Sequence, residues 1–566
     1  MSKWRILCFL LGLFLGFSSS YSQEVTSLKD TLKIDGDISM RNVLYSMGGI
    51  PNRRVPYSFV LGATINVSKG EFNLPFSVTY SEQERSFSQP FNQFGISPSY
   101  KWAKLHLGFN SLNWNTYTLG GAQFLGAGIE LNPKKLRFGF MYGRFRRGTP
   151  IDSIGFIEQR RGQPSYKRNG WAARIGVGSD AKHLDLIVFK GKDQDNGTSP
   201  LLQDSTTYIF PAENTCIGIR SLIPITKAIS FNFDGGLSLF NRDLTAPGLD
   251  TSAEASEIAF VDGFHKTRLS TAVYYGGDAG LKFQIKGHSL GLNTKYVLPD
   301  YQAMGIYYMD NDVFSYGFNH SFGFWKSRAN LNYGLNRLID NLANKKMVTT
   351  IRLQPIVNLT LNPSSKWGVS VNWNNFYTRQ EDGTIQVSDS FRMNQSNPGL
   401  NITPYAQWGD TVVYHSLFAT YADMQLVDNN PYTSAFSQYR ATVYGLNYSQ
   451  NLIPTNMSLS GGLNYTRNRN NELDETSYGL NLGASKSSDE TKWTAGANLS
   501  LQFSNLSNTV SINLNGNYNL KHKQVLTAGL TFLTNSAKQT NTTSFNELTF
   551  MLTYRKNFNY VHKRKN

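Results

Sequence analysis

Apolar and polar residues alternate singly along much of this chain. From Val510 to Leu520 every even position is apolar or glycine (Val510, Ile512, Leu514, Gly516, Tyr518, Leu520), and every odd one is Ser or Asn. Met457, Leu459, Gly461, Leu463 and Tyr465 repeat the pattern, as do Ala495 to Phe503 and Ala329 to Leu335, each against a face of Asn, Ser, Thr and Gly. A period of two puts successive side chains on opposite faces of a strand, so each segment predicts one greasy face and one amide face. Helical spacing fits none of them.

Soluble sandwich strands also alternate, but they run ~5–6 residues, whereas strands that cross a bilayer at a tilt need ~9–11. The segments here are of the longer kind, and their apolar faces end in aromatics such as Tyr465, Phe503, Tyr518 and Tyr554, as interfacial girdles do. Connection lengths agree. Short links (Asn132–Lys135, Asp180–Lys182, Pro224–Lys227, Gly287–His288, Lys326–Ser327, Pro363–Lys366) alternate with long ones (Gly148–Arg168, Asp193–Ala212, Arg242–His265, Pro299–Asp312). The reading is all-β: a transmembrane antiparallel up-and-down β-barrel of about 24 strands (roughly 22 to 26), with short periplasmic turns and long extracellular loops. The sheet must close, because an open edge in lipid leaves backbone groups unpaired at several kcal/mol each.

Composition then narrows the rest. The chain has 566 residues, 17% charged and 13% aromatic, with mean hydropathy −0.35. No apolar run is long enough for a membrane helix, which needs ~18 residues or more. Residues 1–22 read as a signal peptide: Lys3 and Arg5, the apolar stretch Ile6–Phe17, then small residues up to a cut before Gln23. That leaves residues 23–56 as a periplasmic lead-in or small plug, 57–558 as an outer-membrane barrel and 559–566 as a basic tail. Only Cys216 remains as a thiol after such a cut, so no intrachain disulfide is expected. The pI near 9.5 does not point to nucleic acid, because the basic residues are scattered. The expected surroundings are outer-membrane lipid and lipopolysaccharide, with a protein partner if the barrel serves a surface complex.

With the greasy face outward, the charged candidates for the lumen are Arg174, Arg220, Arg268, Lys282, Lys295, Arg352 and Arg440, against Glu130, Asp185, Asp234, Asp278 and Glu547. The small basic excess predicts a pore with weak anion preference. In Pro299–Asp312, Tyr301, Tyr307 and Tyr308 stand with Asp300, Asp310 and Asp312; an ordinary structured surface loop is expected, the alternatives being a lumen-folded loop contacting a sugar or peptide, or a loop that holds a partner. Asp193-Gln-Asp195-Asn196-Gly197 has the start of a calcium-loop pattern, but it is one residue short and lacks the downstream Glu, so a polar loop tip is expected. Asn319-His320-Ser321 offers a base beside a hydroxyl, but neighbours on a strand face opposite ways, so no catalytic pair is expected there. No cofactor or metal spacing is present, and the chain is not read as an enzyme.

Three stretches, Gln89–Trp102, Gly126–Pro133 with Met141–Arg144, and Pro299–Asp312, resemble a poorly characterised family of Bacteroidota outer-membrane β-barrels, and the Ser22-Gln23 junction fits that phylum. The resemblance runs from about Gly36 onward. It implies location and fold and carries no settled activity. The functional expectation is a channel or transporter for small polar solutes; the alternative is a structural or interaction barrel in a surface secretion, gliding or assembly complex.

Overall fold

The computed structural model describes residues 31–81, 93–148, 164–194, 201–202, 208–249, 263–539 and 543–562. The expected signal peptide, residues 1–22, and the expected loop tip Asp195–Gly197 lie outside them. Among the described residues, 26 antiparallel wall strands join into one sheet, with Gln93–Ile96 and Ser99–Tyr100 counted as one broken strand. The count is at the top of the expected range. The sheet closes on itself: Leu32–Gly48 pairs with its successor Tyr57–Lys69 on one side and with the last strand, Phe545–His562, on the other. No sheet edge is left for lipid to meet.

This closure revises two boundaries drawn from the sequence. Leu32–Gly48 is the first wall strand rather than a lead-in or plug, and the wall continues through His562, past the expected start of the tail. The greasy face of that first strand, Ile34, Ile38, Met40 and Leu44, is interrupted by Gly36 and Asn42, and its other face carries Lys33, Asp35, Asp37 and Arg41. Three of them are paired in the wall, Lys33 with Asp35 (3.5 Å) and Asp37 with Arg555 (3.1 Å).

One end of the barrel carries the start of the first strand, the end of the last and the tight turns. Lys286-Gly287, with φ of 47° and 84°, is a two-residue turn in the left-handed region, which matches the twist of the flanking strands. The other end carries the long loops, although Asn470–Asp474 and Ser504–Ser507 are tight there too, so the alternation lapses toward the C-terminus. The outer wall is apolar and unburied: Ile175 is 64% exposed and Leu463 59%. Such side chains need a hydrocarbon neighbour. Aromatic residues mark both borders of this band. Trp102, Trp325, Trp367, Trp408 and Trp493 stand beside tight turns. Toward the loop end Tyr421, Tyr444, Tyr465 and Tyr478 form a cross-strand ladder with ring centroids 5.2 to 6.2 Å apart.

The inner face shows why Asn and Gly recur together. Asn447, Asn464, Asn498 and Asn515 stand opposite Gly462, Gly479, Gly483 and Gly496 on the next strand. Each amide lies across the space a Cβ on that glycine would occupy. The amides are thereby laid flat against the wall, and the bore stays wide.

Candidate functional site: the barrel interior

The interior is unevenly filled. Apart from Tyr45, Ala329 and Ala441, the buried apolar side chains lie between Leu112 and Val313, on one arc of the wall. Two segments fold in from the loop end to make this core. The first is the tip joining Ala103–Asn115 to Leu119–Leu131, where Trp114, Asn115, Tyr117, Thr118 and Leu119 are buried. The second is the Pro299–Asp312 loop, whose Gly305–Ile306 pairs in parallel with Leu119–Gly121. Wall residues Met141, Ile187, Phe189, Phe240 and Tyr274 turn apolar side chains inward to meet them. On this arc both faces of the wall are apolar, as for a sheet covered on both sides.

The tip is held by polar groups as well as by packing. Asn115 Nδ2 donates to the carbonyls of Ile219 (3.2 Å) and Gly235 (3.1 Å) and to the Asp234 carboxylate. Thr116 donates to Asp234 Oδ2 from its backbone N–H (3.1 Å) and its hydroxyl (2.7 Å). The Tyr117 hydroxyl donates to Asp278 (3.0 Å), and the Tyr301 hydroxyl to the Tyr117 carbonyl. Burial, then the facing Asp278, raises the Tyr117 phenol above its usual range, and burial does the same for Tyr301, so both stay neutral donors. Gly218, Gly236 and Gly276 are where the tip presses on the wall; a Cβ there would meet Thr118, Asn115 or Tyr117.

Under the tip a charged row crosses the wall in register: Asp185, Arg220, Asp234, Asp278 and Lys295 stand successively opposite one another. Arg220 also donates to the carbonyl of Asn113 (3.3 Å). Beside this row Arg174 donates to Glu130 (3.1 Å) and lies over the Trp114 ring (5.2 Å), while His106 Nε2–H donates to the same carboxylate (2.8 Å). Arg137 holds Asp185 (2.9 Å) and Asp180 (2.7 Å); the latter bond keeps the carboxyl of the turn residue Asp180 below the usual range. Lys282, Lys295 and Asp278, with Thr116 and Tyr117, line a recess of about 580 Å³ open to the lumen.

Most of the charged residues expected in the lumen are therefore there: Glu130, Arg174, Asp185, Arg220, Asp234, Asp278, Lys282 and Lys295. Arg352 and Glu547 share the lumen-facing side of their strands. Two are not. Arg268 is in the loop above Asn241, with its guanidinium on the Ala246 carbonyl (2.7 Å). Arg440 is on the outer face, on the side that carries Tyr444, and pairs with Asp423 (2.8 Å). Phase decides this: Arg440, Tyr444, Leu446 and Tyr448 share a face, and the tyrosine ladder faces lipid. Without these two, the candidates are five cations and five anions, and the expected basic excess disappears.

Tyr301 is buried inside the barrel, not presented to a partner, while Tyr307 and Tyr308 of the same loop are exposed. Asp193 is held by Arg146 (3.1 Å) and Arg168 (2.8 Å), and Asp312 is paired with Lys346, so both carboxylates are occupied by cationic side chains. His320 stacks outward with His288 (5.3 Å), whereas Ser321 faces the lumen.

The opposite arc, from Ala329 to the seam, has no such filling among the described residues. Its inner amides Asn447, Asn481, Asn498, Asn515 and Asn517 are exposed. A closed, lipid-faced, 26-strand antiparallel barrel with a polar interior is the fold of an outer-membrane β-barrel protein.

No protein-family model and no curated protein sequence matches the chain. Solved outer-membrane barrels do. The P pilus usher PapC translocation pore aligns over 93% of this chain and 99% of its own, at 11% identity and a TM-score of 0.38. The copper transporter OprC aligns over 95% and 82%, at 10% identity and 0.39. The FrpB iron transporter of Neisseria meningitidis aligns over 93% and 81%, at 10% and 0.35. These are likenesses of architecture, and substrates do not carry over at such scores.

Proposed function

We propose that this protein is an outer-membrane channel or transporter for small polar solutes, its conducting path running along the arc of the lumen opposite the inward-folded segments. One observation carries the reading: the tip and the Pro299–Asp312 loop pack against one arc, whereas the amide-lined inner face of the other arc is exposed. A barrel this wide keeps a lumen unless something fills it, and here the filling is one-sided. Lumen cations and anions balance among the candidate residues, so the path discriminates little by charge. The chain sits among lipids, with lipopolysaccharide headgroups reaching the Arg440–Asp423 and Arg467–Asp474 pairs above the tyrosine ladder.

A second reading, an interaction barrel in a surface complex, draws on Tyr307 and Tyr308, which are 71% and 76% exposed on a loop that the fold holds in place. Single-channel recording of the purified protein in a planar bilayer separates the two. Steady openings with near-unit cation-to-anion permeability support the channel; a folded but silent barrel, with a partner retained through purification, supports the complex.

A further inference from the structure

The open arc is not uniformly polar. The inward phase of the Val348–Leu361, Trp367–Asp382, Asn394–Gly409 and Val413–Asp428 strands brings four large apolar side chains to the lumen: Ile356, Phe376, Phe418 and Met424, which are 38%, 49%, 37% and 54% exposed. A water-filled bore gives them no hydrocarbon to meet, so their exposure calls for a partner surface. They fall at two heights. In the upper group Ile356 stands opposite Asn374, Asn374 opposite Gly399 and Gly399 opposite Met424, with Phe376 one inward position above Asn374. In the lower group Tyr405 stands opposite Phe418, their rings 6.3 Å apart and tilted by 32°.

Between the two heights run two uncharged rows. Asn332, Asn358, Asn372 and Asn401 stand in register across four strands, and below them Thr360, Ser370, Thr403 and Thr420 do the same, the last through strict alternation. From the level of Gly399 to that of Tyr405 there are six residues, roughly 20 Å at ~3.4 Å per residue. No Asp, Glu, Lys or Arg faces the lumen within this field; Arg352 lies above it, toward the loop end.

We infer that this field binds a linear, uncharged oligosaccharide, an assignment that rests on the channel reading and names its substrate class. A pyranose presents an apolar C–H face and a rim of hydroxyls, each both donor and acceptor. Aromatic and thioether side chains cover the first; Asn amides, with a donor and an acceptor apiece, and Ser and Thr hydroxyls match the second. Ions find no counter-charge here. A fully apolar ligand would leave two rows of amides and hydroxyls unpaired where water is excluded, which opposes its binding. A chain of several sugars meets both apolar heights and both polar rows at once.

The test is reversible block of the ion current through the reconstituted protein by maltohexaose, cellohexaose, mannohexaose and xylohexaose, with a polyethylene glycol of equal mass as the size control. Expected is resolved block by at least one hexasaccharide and none by the polymer, with residence time reduced about tenfold or more in Phe418→Ala and in Phe376→Ala, and unaltered in Ser500→Ala, on the inner face four strands beyond the field. Open channels that none of the four sugars blocks, or blocks that both aromatic variants leave unchanged, overturn the glycan assignment and leave the channel standing. A silent barrel overturns the channel reading; calorimetric titration of the same detergent-solubilised protein with the four sugars then decides the site alone, since binding abolished by Phe418→Ala upholds it and absence of binding removes it. Retained heat-modifiable migration of each variant shows that the barrel has folded.

Discussion

Removing the Asp234 carboxylate should loosen the inward tip. In Asp234→Ala, Thr116 loses the acceptor for its N–H and its hydroxyl, and Asn115 loses one of three acceptors while keeping the carbonyls of Ile219 and Gly235. A hydrogen bond to a charged group contributes about 1.5–3 kcal/mol, so the two Thr116 bonds bound the loss at about 3–6 kcal/mol. Thr116 borders the open recess, where water can replace part of what is lost, which puts the expected net at about 3 kcal/mol. At 1.4 kcal/mol per tenfold, that multiplies the undocked population by about a hundred. The packed apolar cluster still holds the rest of the tip, so the barrel itself folds. Single-channel recording should show added current noise and a larger open level, and Asp234→Asn, which keeps an acceptor in place, should show less of both. If Asp234→Ala gives the parent's current amplitude and noise, the tip does not depend on this anchor and the account of how it is held is wrong.

Three other outcomes follow from the wall. Ile219→Arg, in mid-strand on the lipid face, should lower the free energy of folding into bilayers by about 2–4 kcal/mol, whereas Asn447→Arg on the exposed inner face should change it little; denaturant titration in vesicles compares them. Gly479→Leu drives a side chain into the space of the Asn464 amide and should cost about 1–3 kcal/mol in the same titration, with Asn464→Gly in the same chain restoring most of it. Deleting Leu32–Gly48 removes the strand that joins the two ends of the sheet and should abolish heat-modifiable migration altogether; a folded barrel from that deletion would show that the last strand can close on Tyr57–Lys69 instead.

The wall was legible because lipid outside and water inside impose opposite tastes on alternate residues, and a closed antiparallel sheet follows from that alone. What sequence reading missed are the places where the contrast fades. Leu32–Gly48 has Gly36 and Asn42 on its lipid face, so its period of two was faint, although Ile34, Ile38 and Met40 against Lys33, Asp35 and Asp37 could have shown it. The inward tip left a clearer trace: Leu105 and Leu107 face out, yet Leu112 and Trp114 face in, so the apolar phase flips along one strand, at register shifts beside Ser111 and Asn113. The run Leu186-Ile187-Val188-Phe189, apolar on both faces, marks a wall with something packed inside it. What packs there is set by contacts more than a hundred residues apart, such as Asn115 with Asp234, and no local pattern encodes those. Arg440 was misplaced for a related reason: beyond the end of the hydrocarbon band the outer face carries charge, and the rule that charge points inward stops applying.

The seam between Leu32–Gly48 and Phe545–His562 joins residues as far apart as Asp37 and Arg555, 518 positions along the chain. Every other wall pairing is between successive strands and can form as the chain is laid down. This one waits for the final strand to arrive. Until then the nearly complete sheet has two free edges, each a full row of unpaired N–H and C=O groups and a template for joining the wrong neighbour. Biogenesis of this protein is thus a problem of timing: the first strand must be sheltered for as long as the other 25 take to assemble, and whatever shelters it must release it only to the last.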